Sequence, residues 1–444
     1  MQLGILRSDY MLDRDPSSGE QRPLQVEVGC PPCPLTLSGS PPTYQPQPQV
    51  NTIASSFGCL SALVGELHRF VLDTLAARGP AAAQLLQEAG FPAAAAAEPA
   101  ILQQRSPPNL STRMIAFALA MGHFVYGRAA GSIVVFLVQA GERNMADQRL
   151  LQQELFSGHG VRAEFLTFQE MGAAAYTAPA AEGDGAGSQL RVRLGTEDLE
   201  VTVVYFRSGY GPGDYPSDAE WALREMIERS ASIKCPSVGY QLAGTKKVQQ
   251  LLCGAGVVER FVGAEKGLLL RRCFAAQYGL GDSGEEAAAA AAAIADGAQW
   301  VVKPQREGGG NNLYGADVSA FLRAPPAGAS SAFVLMQRMF PQPHESHFLR
   351  EGALQRTRAV SELGVYGSFL GDGSDSAVLN ACCGYLLRVK GEGTDEGGVA
   401  TGYSVLGSVV LDGDLEPPEA ESTDDLARSI DRVKGILDGG ERAL

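Results

Sequence analysis

Lys303–Gly315 reads KPQREGGGNNLYG, and no other stretch of the 444 residues sets so many chemically committed side chains so close together. Gly308, Gly309 and Gly310 remove every Cβ from a run of backbone, so a phosphate chain can approach the main-chain N–H groups. Lys303 and Arg306 add positive charge, and Glu307 adds a hard oxygen of the kind Mg²⁺ prefers. Just before the loop, VVKPQ follows Trp300 and opens on two β-branched residues, which predicts a strand running into a glycine-rich turn. No GK[ST] follows the glycines and the spacing is not G-x-G-x-x-G, so neither the P-loop nor the dinucleotide fingerprint applies. The plain alternative is a loop whose charges are incidental.

Working outward, FVLMQRM (333–339), SELGVYGSFL (361–370) and SAVLNACCGYLLRVK (376–390) predict an antiparallel sheet around the loop. KGEGTDEGGVATG (390–402) follows Arg388 with the permissive backbone of a closing lid, although a surface hairpin has the same composition. Ala287–Ala293 lies in a predicted helix capped by Asp282 or Ser283. Lys246, in the turn-like LAGTKKVQQ, and Lys303 can neutralise phosphates, while Glu307 and Glu362 are acids near predicted strand ends. Phosphoryl transfer calls for that division of labour, because its catalysis rests on positioning and on offsetting negative charge.

Further upstream, SIVVFLVQ (132–139) reads as a strand buried on both faces, QRLLQQELFSGHG (148–160) as a helix ended by glycine, and 161–166 as a second strand. This is a β-α-β beginning. LEVTVVYFR (199–207) is another strand with a charge at its carboxyl end, where open α/β sheets place ligands. SDAEWALREMIERSASIKC (217–235) opens with a serine N-cap and an acidic first turn. LSALVGELHRFVLDTLAAR (60–78) has helical spacing, and the Ala-rich run to Ala97 continues as helix broken by Pro80 and Pro92. Residues 175–189 read as a surface loop.

With 45% hydrophobic residues the chain can fill sizeable cores, and its length allows about three domains. A net charge of −14 argues against nucleic acid or an anionic membrane as main partner, so local basic clusters must do any anion binding. Eight cysteines without framework spacing predict reduced thiols in an intracellular compartment. The lone C-x-x-C, Cys30 to Cys33, encloses two prolines and has no second pair, and the five histidines do not cluster. No apolar run reaches the roughly 18 residues of a membrane span, and Arg7, Asp9 and Asp13 interrupt any signal-peptide core.

KPQREGGGNNLYG, QLAGTKKVQQ, GERNMADQR, RSDYM, SELGVYG and LLRVK…GGVA together resemble eukaryotic glutathione synthetase, an ATP-grasp ligase family, in the same order along the chain. The resemblance runs from about Leu3 to Val409, leaving out 29–50. It implies an α/β ATP-grasp fold with an inserted doubly wound parallel-sheet substrate-binding domain. The expected divisions are an N-terminal part of the core at 1–130, the substrate domain at 131–243, the nucleotide-binding region at 244–410 and an acidic tail at 411–444. The implied reaction is ligation of γ-glutamylcysteine and glycine. ATP phosphorylates the cysteinyl carboxylate, and the glycine amine then attacks the acyl phosphate to give glutathione, ADP and phosphate. A homodimer in the cytoplasm, or in a plastid, is implied with it.

Carried over by residue, the resemblance implies Arg388, Lys303, Gly308 and Gly309 as the catalytic set. ATP is expected to meet Glu27, Lys246, Lys303, Pro304, Gln305, Arg306, Glu307, Gly308, Gly309, Gly310, Asn311, Asn312, Tyr314, Glu362, Lys390 and Glu396. The adenine-side hinge is Met336, Gln337, Arg338 and Met339, where MQRM replaces a more familiar MEKI; hinge contacts are largely backbone, so the change is expected to be tolerated. γ-Glutamylcysteine or product falls to Arg7, Ile53, Ala54, Ser55, Ser56, Glu142, Arg143, Asn144, Gln148, Arg207, Ser208, Gly209, Tyr210 and Arg388, with Val399 and Ala400 in a small-residue lid over glycine. Arginines suit that task because a guanidinium grips a carboxylate with two parallel hydrogen bonds. Two Mg²⁺ ions are expected on Glu27, Asn51 and Glu307.

Beyond the hinge, the chain departs from the family in three places. Ser208 replaces an acidic residue usual in the R-x-G-Y block, which could alter the anchoring of that loop without removing Arg207. The family's E-x-N-T strand is split here, since Glu27 and Asn51 are separated by GCPPCPLTLSGSPPTYQPQPQV (29–50), with seven prolines and no charge. Residues 28–49 have the form of a retained in-frame intron, because valine codons begin with GT and glutamine can be encoded CAG; a transcript keeping those 22 codons counts against it. Otherwise the segment must loop out and return Asn51 beside Glu27, at a closure cost of a few kcal/mol, on the order of what that loop length sets. Third, relatives carry a long segment before the RSDYM block, and a core without it is expected to expose apolar surface. A ligase using another amino acid such as β-alanine, or an inactive nucleotide-binding member, is the alternative.

Overall fold

The computed structural model describes residues 1–14, 21–25, 50–79, 81, 84, 106–127, 131–179, 188–282, 284–305, 311–373, 377–394, 397–399 and 402–410. Glu27, Ser283, Arg306, Glu307, Gly308, Gly309, Gly310, Glu396, Ala400, most of the proline-rich segment and the tail 411–444 lie outside the described residues.

Alternation of apolar residues along SELGVYGSFL produces the strand Ala353–Gly371, in which Val360, Glu362, Gly364 and Tyr366 face inward while Ser361, Leu363 and Val365 are half-buried. This strand is central to a seven-stranded antiparallel sheet. Leu379–Gly391 pairs on one side of it and the N-terminal strand Gln2–Arg14 on the other, with Ser404–Gly407 beyond the first and His344–Arg350 pairing the proximal half. Gln21–Gln25 and Val50–Asn51 both pair with Gln2–Arg14, setting Gln25 opposite Tyr10 and Asn51 opposite Arg7. Tyr10 and Arg7 are three residues apart on one strand, about 10 Å. The two flanks of the proline-rich segment are thus brought together.

A second sheet has six strands in the order Ala163–Thr167, Ile133–Val138, Glu197–Phe206, Gln189–Leu194 and Ala175–Ala178, with Ile233–Cys235 also on Glu197–Phe206. The pairs 133–138 with 163–167, 133–138 with 197–206, and 197–206 with 233–235 are parallel. Because side chains alternate, Val134, Phe136 and Val138 enter one core with the helices Ser111–Tyr126 and Met145–His159. Ile133, Val135 and Leu137 enter another, with Phe168–Ala174 and Asp218–Arg229. Helices therefore cover both faces, which is why IVVFLV carries no polar residue.

Helix Ser111–Tyr126 lies between the two sheets and is buried nearly all round. Gly122 marks the tightest passage. A Cβ there would stand 3.1 Å from Leu3 of the first sheet and 3.2 Å from Val203 of the second.

The third sheet has the order Gln277–Tyr278, Phe333–Gln337, Trp300–Pro304 and Leu313–Tyr314, with Ala289 and Ala293 of helix Gly284–Ala295 and Val318 of Ala316–Arg323 packed on Val302 and Leu335. Two expectations are corrected. FVLMQRM does not join SELGVYGSFL; it pairs with the strand before the glycine-rich loop, and its regular part ends at Gln337. The stretch 175–189 is not all loop, since Ala175–Ala178 forms an edge strand on Gln189–Leu194. AYTA has no apolar alternation of its own, so only its partner strand makes it extended.

Candidate active site

Arg7 and Asp9 alternate onto one face of the N-terminal strand. Arg7 donates Nε to Asp9 Oδ1 and Nη2 to Asp9 Oδ2, both at 2.7 Å. From two strands away Arg388 donates Nη2 to Asp9 Oδ2 at 2.5 Å and to Glu362 Oε1. Asp9 is 0% exposed, and Arg7 and Glu362 are each 7% exposed, so these charges are desolvated and depend on one another. Asn51 donates Nδ2 to Asp9 Oδ2 at 3.3 Å. Lys390 follows Arg388 by two on the same strand and is also buried. Gly397, in the segment that carries Val399, passes so close to Glu362 that a Cβ would stand 3.1 Å from its Oε2.

Residues 51–57 connect this floor to the second sheet. Ala54 (φ 52°) and Phe57 (φ 73°) are both left-handed, a costly conformation away from glycine that surrounding contacts must enforce. Arg207 donates Nη1 to Ser55 O at 2.8 Å and Nη2 to Ser56 Oγ at 2.6 Å, and Tyr366 donates its hydroxyl to Ser56 O at 2.5 Å. The Asp147 carboxylate accepts the backbone N–H groups of Phe57, Cys59 and Leu60 at 2.8, 2.8 and 3.0 Å, capping helix Gly58–Ala76. Asn144 donates to Asp147 at 3.3 Å, and Glu142 accepts from Asn144 N and Gln148 Nε2 at 2.7 and 2.8 Å. Arg143 is exposed.

Burial shifts several groups here. It opposes the charge on Arg207, but Tyr205 and Asp147 outweigh it and hold the guanidinium above its ordinary value. Burial pushes the Cys59 thiol up to about 12, helped by Asp147, and raises the Tyr366 phenol.

Ser208, Gly209 and Tyr210 form a tight loop after the strand Glu197–Phe206. Tyr210, Ile53, Gln241, Thr245, Lys246 and Gln305 line a cavity of about 80 Å³. Gln305 Oε1 accepts the Lys247 backbone N–H at 3.2 Å, and the Gln305 backbone N–H donates to Ala332 O at 2.8 Å. Lys303 and Pro304 lie opposite Val334 and Phe333, and Met336 lies between Gln277 and Val301. Backbone N–H groups of Gln337 and Arg338 donate to Ala276 and Gln299, both at 2.8 Å. Asn312 donates to the Tyr314 hydroxyl at 3.1 Å, and Arg338 lies 5.4 Å over the Tyr314 ring. Asn311 precedes Asn312 at the near end of the described residues after the glycines.

Sequence reading missed two carboxylates: Asp9 and Asp147. Asp9 had a signal, since it is two residues from Arg7 on a strand. Asp147 lies inside the GERNMADQR block but meets backbone 87 to 90 residues away.

Over residues 1–411 the chain matches the protein family described as eukaryotic glutathione synthase, ATP binding domain. It is 37% identical over 415 residues to the chloroplastic glutathione synthetase of Solanum lycopersicum, covering 93% of this chain and 64% of that protein. Against the glutathione synthetase of Dictyostelium discoideum it is 33% identical over 414 residues, covering 92% and 76%. Its fold resembles that of a glutathione synthetase-like effector from Globodera pallida in apo form, with a TM-score of 0.62 at 19% identity over 92% of this chain and 76% of that one. The chain spans less than two thirds of the Solanum lycopersicum and Arabidopsis thaliana relatives, 64% and 65% of their lengths.

Proposed function

The chain belongs to the eukaryotic glutathione synthase family, and from that membership we propose that it is an ATP- and Mg²⁺-dependent ligase joining γ-glutamylcysteine to glycine, with glutathione, ADP and phosphate as products. The observation that carries the reading is that, among the described residues, the buried side-chain polar atoms without a partner include Gln148 Oε1, Arg207 Nε, Gln305 Nε2 and Arg388 Nε. Each belongs to a residue expected to meet substrate or nucleotide. A buried donor or acceptor left unpaired is costly, and a polar ligand relieves that cost.

In this reading ATP lies against the strand Trp300–Pro304, with Lys246, Lys303 and Lys390 offsetting phosphate charge and Met336–Met339 beside adenine. γ-Glutamylcysteine lies between Arg7, the clamped segment Ile53–Ser56 and the Arg207–Tyr210 loop. Its cysteinyl carboxylate attacks the γ-phosphorus and ADP leaves. The glycine amine then attacks the acyl carbon and phosphate departs. Arg388, fixed by Asp9 and Glu362, is held ready for the charge that develops on the transferring oxygens.

The Asn51 amide oxygen is not used in its bond to Asp9, so it suits a hard cation; Glu27 and Glu307 are its expected companions. Bound there, Mg²⁺ would offset phosphate charge. Among the described residues no group of three His, Cys, Asp or Glu could hold a metal ion by itself.

We read 1–130 and 244–410 as an ATP-grasp core, 131–243 as an inserted doubly wound substrate domain and 411–444 as an acidic tail. The helices on both faces of the parallel sheet support this. A homodimer in the cytoplasm or a plastid completes the reading; the chloroplastic relative supports the second compartment. Among the described residues no helix is long and apolar enough to cross a membrane.

The test is phosphate release by the purified chain with ATP and Mg²⁺, requiring both γ-glutamylcysteine and glycine, with glutathione identified by mass. Faster release with β-alanine selects the sister ligase. Nucleotide binding without release selects the inactive member.

A further inference from the structure

The loop after Arg207 takes its shape from a residue outside the assigned set. Five donors converge on the Asp214 carboxylate. Ser208 Oγ (3.0 Å) and Gln139 Nε2 (3.1 Å) reach Oδ1, while the backbone N–H groups of Gly209 (3.0 Å), Tyr210 (3.1 Å) and Gly211 (3.1 Å) share Oδ2. Three successive amides turned toward one oxygen form an anion-binding nest, here filled by the protein's own side chain. Gly209 makes the bend possible at φ 89°, and a Cβ there would meet the Tyr215 hydroxyl at 2.8 Å. From the other side, Gln241 Nε2 and the Tyr215 hydroxyl donate to Gly209 O at 3.0 and 3.2 Å. Tyr215 is itself stacked on Trp221, with ring centroids 4.0 Å apart. Both sides of the loop are thus held, and Tyr210 is delivered to the cavity it shares with Gln241 and Lys246.

We propose that Asp214 is the positioning residue for the γ-glutamylcysteine loop: its carboxylate holds the amides of Gly209, Tyr210 and Gly211 so that Arg207 and Tyr210 face the substrate together. This rests on the function proposed above. Ser208 Oγ is 3.0 Å from Asp214 Oδ1, so a carboxylate placed on residue 208 falls in the same neighbourhood. Beside Asp214 it repels; in place of Asp214 it substitutes.

The full chain is compared with Asp214→Ala, Ser208→Asp and the double variant. Asp214→Ala should raise KM for γ-glutamylcysteine about tenfold, the scale of one charge-assisted hydrogen bond, and leave KM for ATP unchanged. Ser208→Asp alone should also weaken dipeptide binding, and the double variant should recover it. Hydrogen exchange at the amides of residues 209–211 is read in parallel, with protection lost in Asp214→Ala and regained in the double variant. That second readout needs no turnover, so a wild-type chain without ligase activity refutes the reaction while exchange still judges the anchor. Unchanged exchange in Asp214→Ala, a double variant no better than Asp214→Ala, or an equal rise in KM for every substrate overturns the proposal.

Discussion

Arg388 and Asp9 stand on strands that do not pair with each other, yet Arg388 Nη2 lies 2.5 Å from Asp9 Oδ2 across the strand Ala353–Gly371. Gly364 is the residue opposite Asp9, so the intervening strand puts no side chain of its own at that position. With Arg7 buried and Arg388 partly buried, the Asp9 charge is essential to the cluster. Asp9→Asn should cost about 3–5 kcal/mol, the range for removing one partner of a buried pair. The denaturant midpoint measures it, and a midpoint equal to wild type would show that Glu362 alone suffices for Arg7 and Arg388.

Gly364→Ala tests the same path from the other side. Its Cβ would stand 2.6 Å from Asp9 Oδ1 and 3.0 Å from Arg7 Cδ, and both side chains are fixed by the ion pair. Overpacking of that kind costs about 1–3 kcal/mol. Gly65→Ala is the control, because that glycine lies in helix Gly58–Ala76 with only Asn109 Cβ at 4.0 Å, and alanine should stabilise the helix by up to about 1 kcal/mol. Urea melts of the two variants should therefore move in opposite directions.

Asp147→Ala should release the start of helix Gly58–Ala76. Three backbone donors lose their acceptor, and the left-handed Phe57 loses the contact that holds it. We expect about 1–2 kcal/mol lower stability by calorimetry, as for other lost N-caps, and, under the proposed function, weaker γ-glutamylcysteine binding. Asp147→Asn keeps an acceptor oxygen and should fall between.

Alkali should loosen the fold earlier than ordinary lysine or tyrosine titration suggests. Burial raises Cys59 and Cys235 from 9.0 to about 12 and Tyr205 from 10.0 to about 12. The unfolded chain releases these protons first, so the stability they represent is complete below about pH 9 and is lost as pH climbs toward about 12. A melting temperature that stays flat to pH 9 and then falls, with a shallower fall in Cys235→Ala, is the expected profile.

Periodicity made much of the second sheet legible. IVVFLV has the β-branched, wholly apolar character of a doubly buried strand and is one, and Ser217 with Glu220 forms the capping box that opens Asp218–Arg229. Such signals survive because they arise within a few residues. The sheet partners did not. FVLMQRM and SELGVYGSFL have the same local character, and burial of Val302 and Leu335 beneath two helices is what drew the former to the strand before the glycine-rich loop.

By itself the sequence determined the chemistry available to this chain: the ordered blocks, lysines able to neutralise phosphate, arginines suited to carboxylates and glycines where backbone can bend. Only the tertiary structure decided which acid serves which cation. Arg388 and Asp9 are separated by 379 positions, and Arg207 reaches Ser55 over 152. Local dihedral preferences and side-chain alternation carry no record of such distances; partners that far apart are chosen by the burial of shared surfaces, once strands from both ends of the chain enter one sheet.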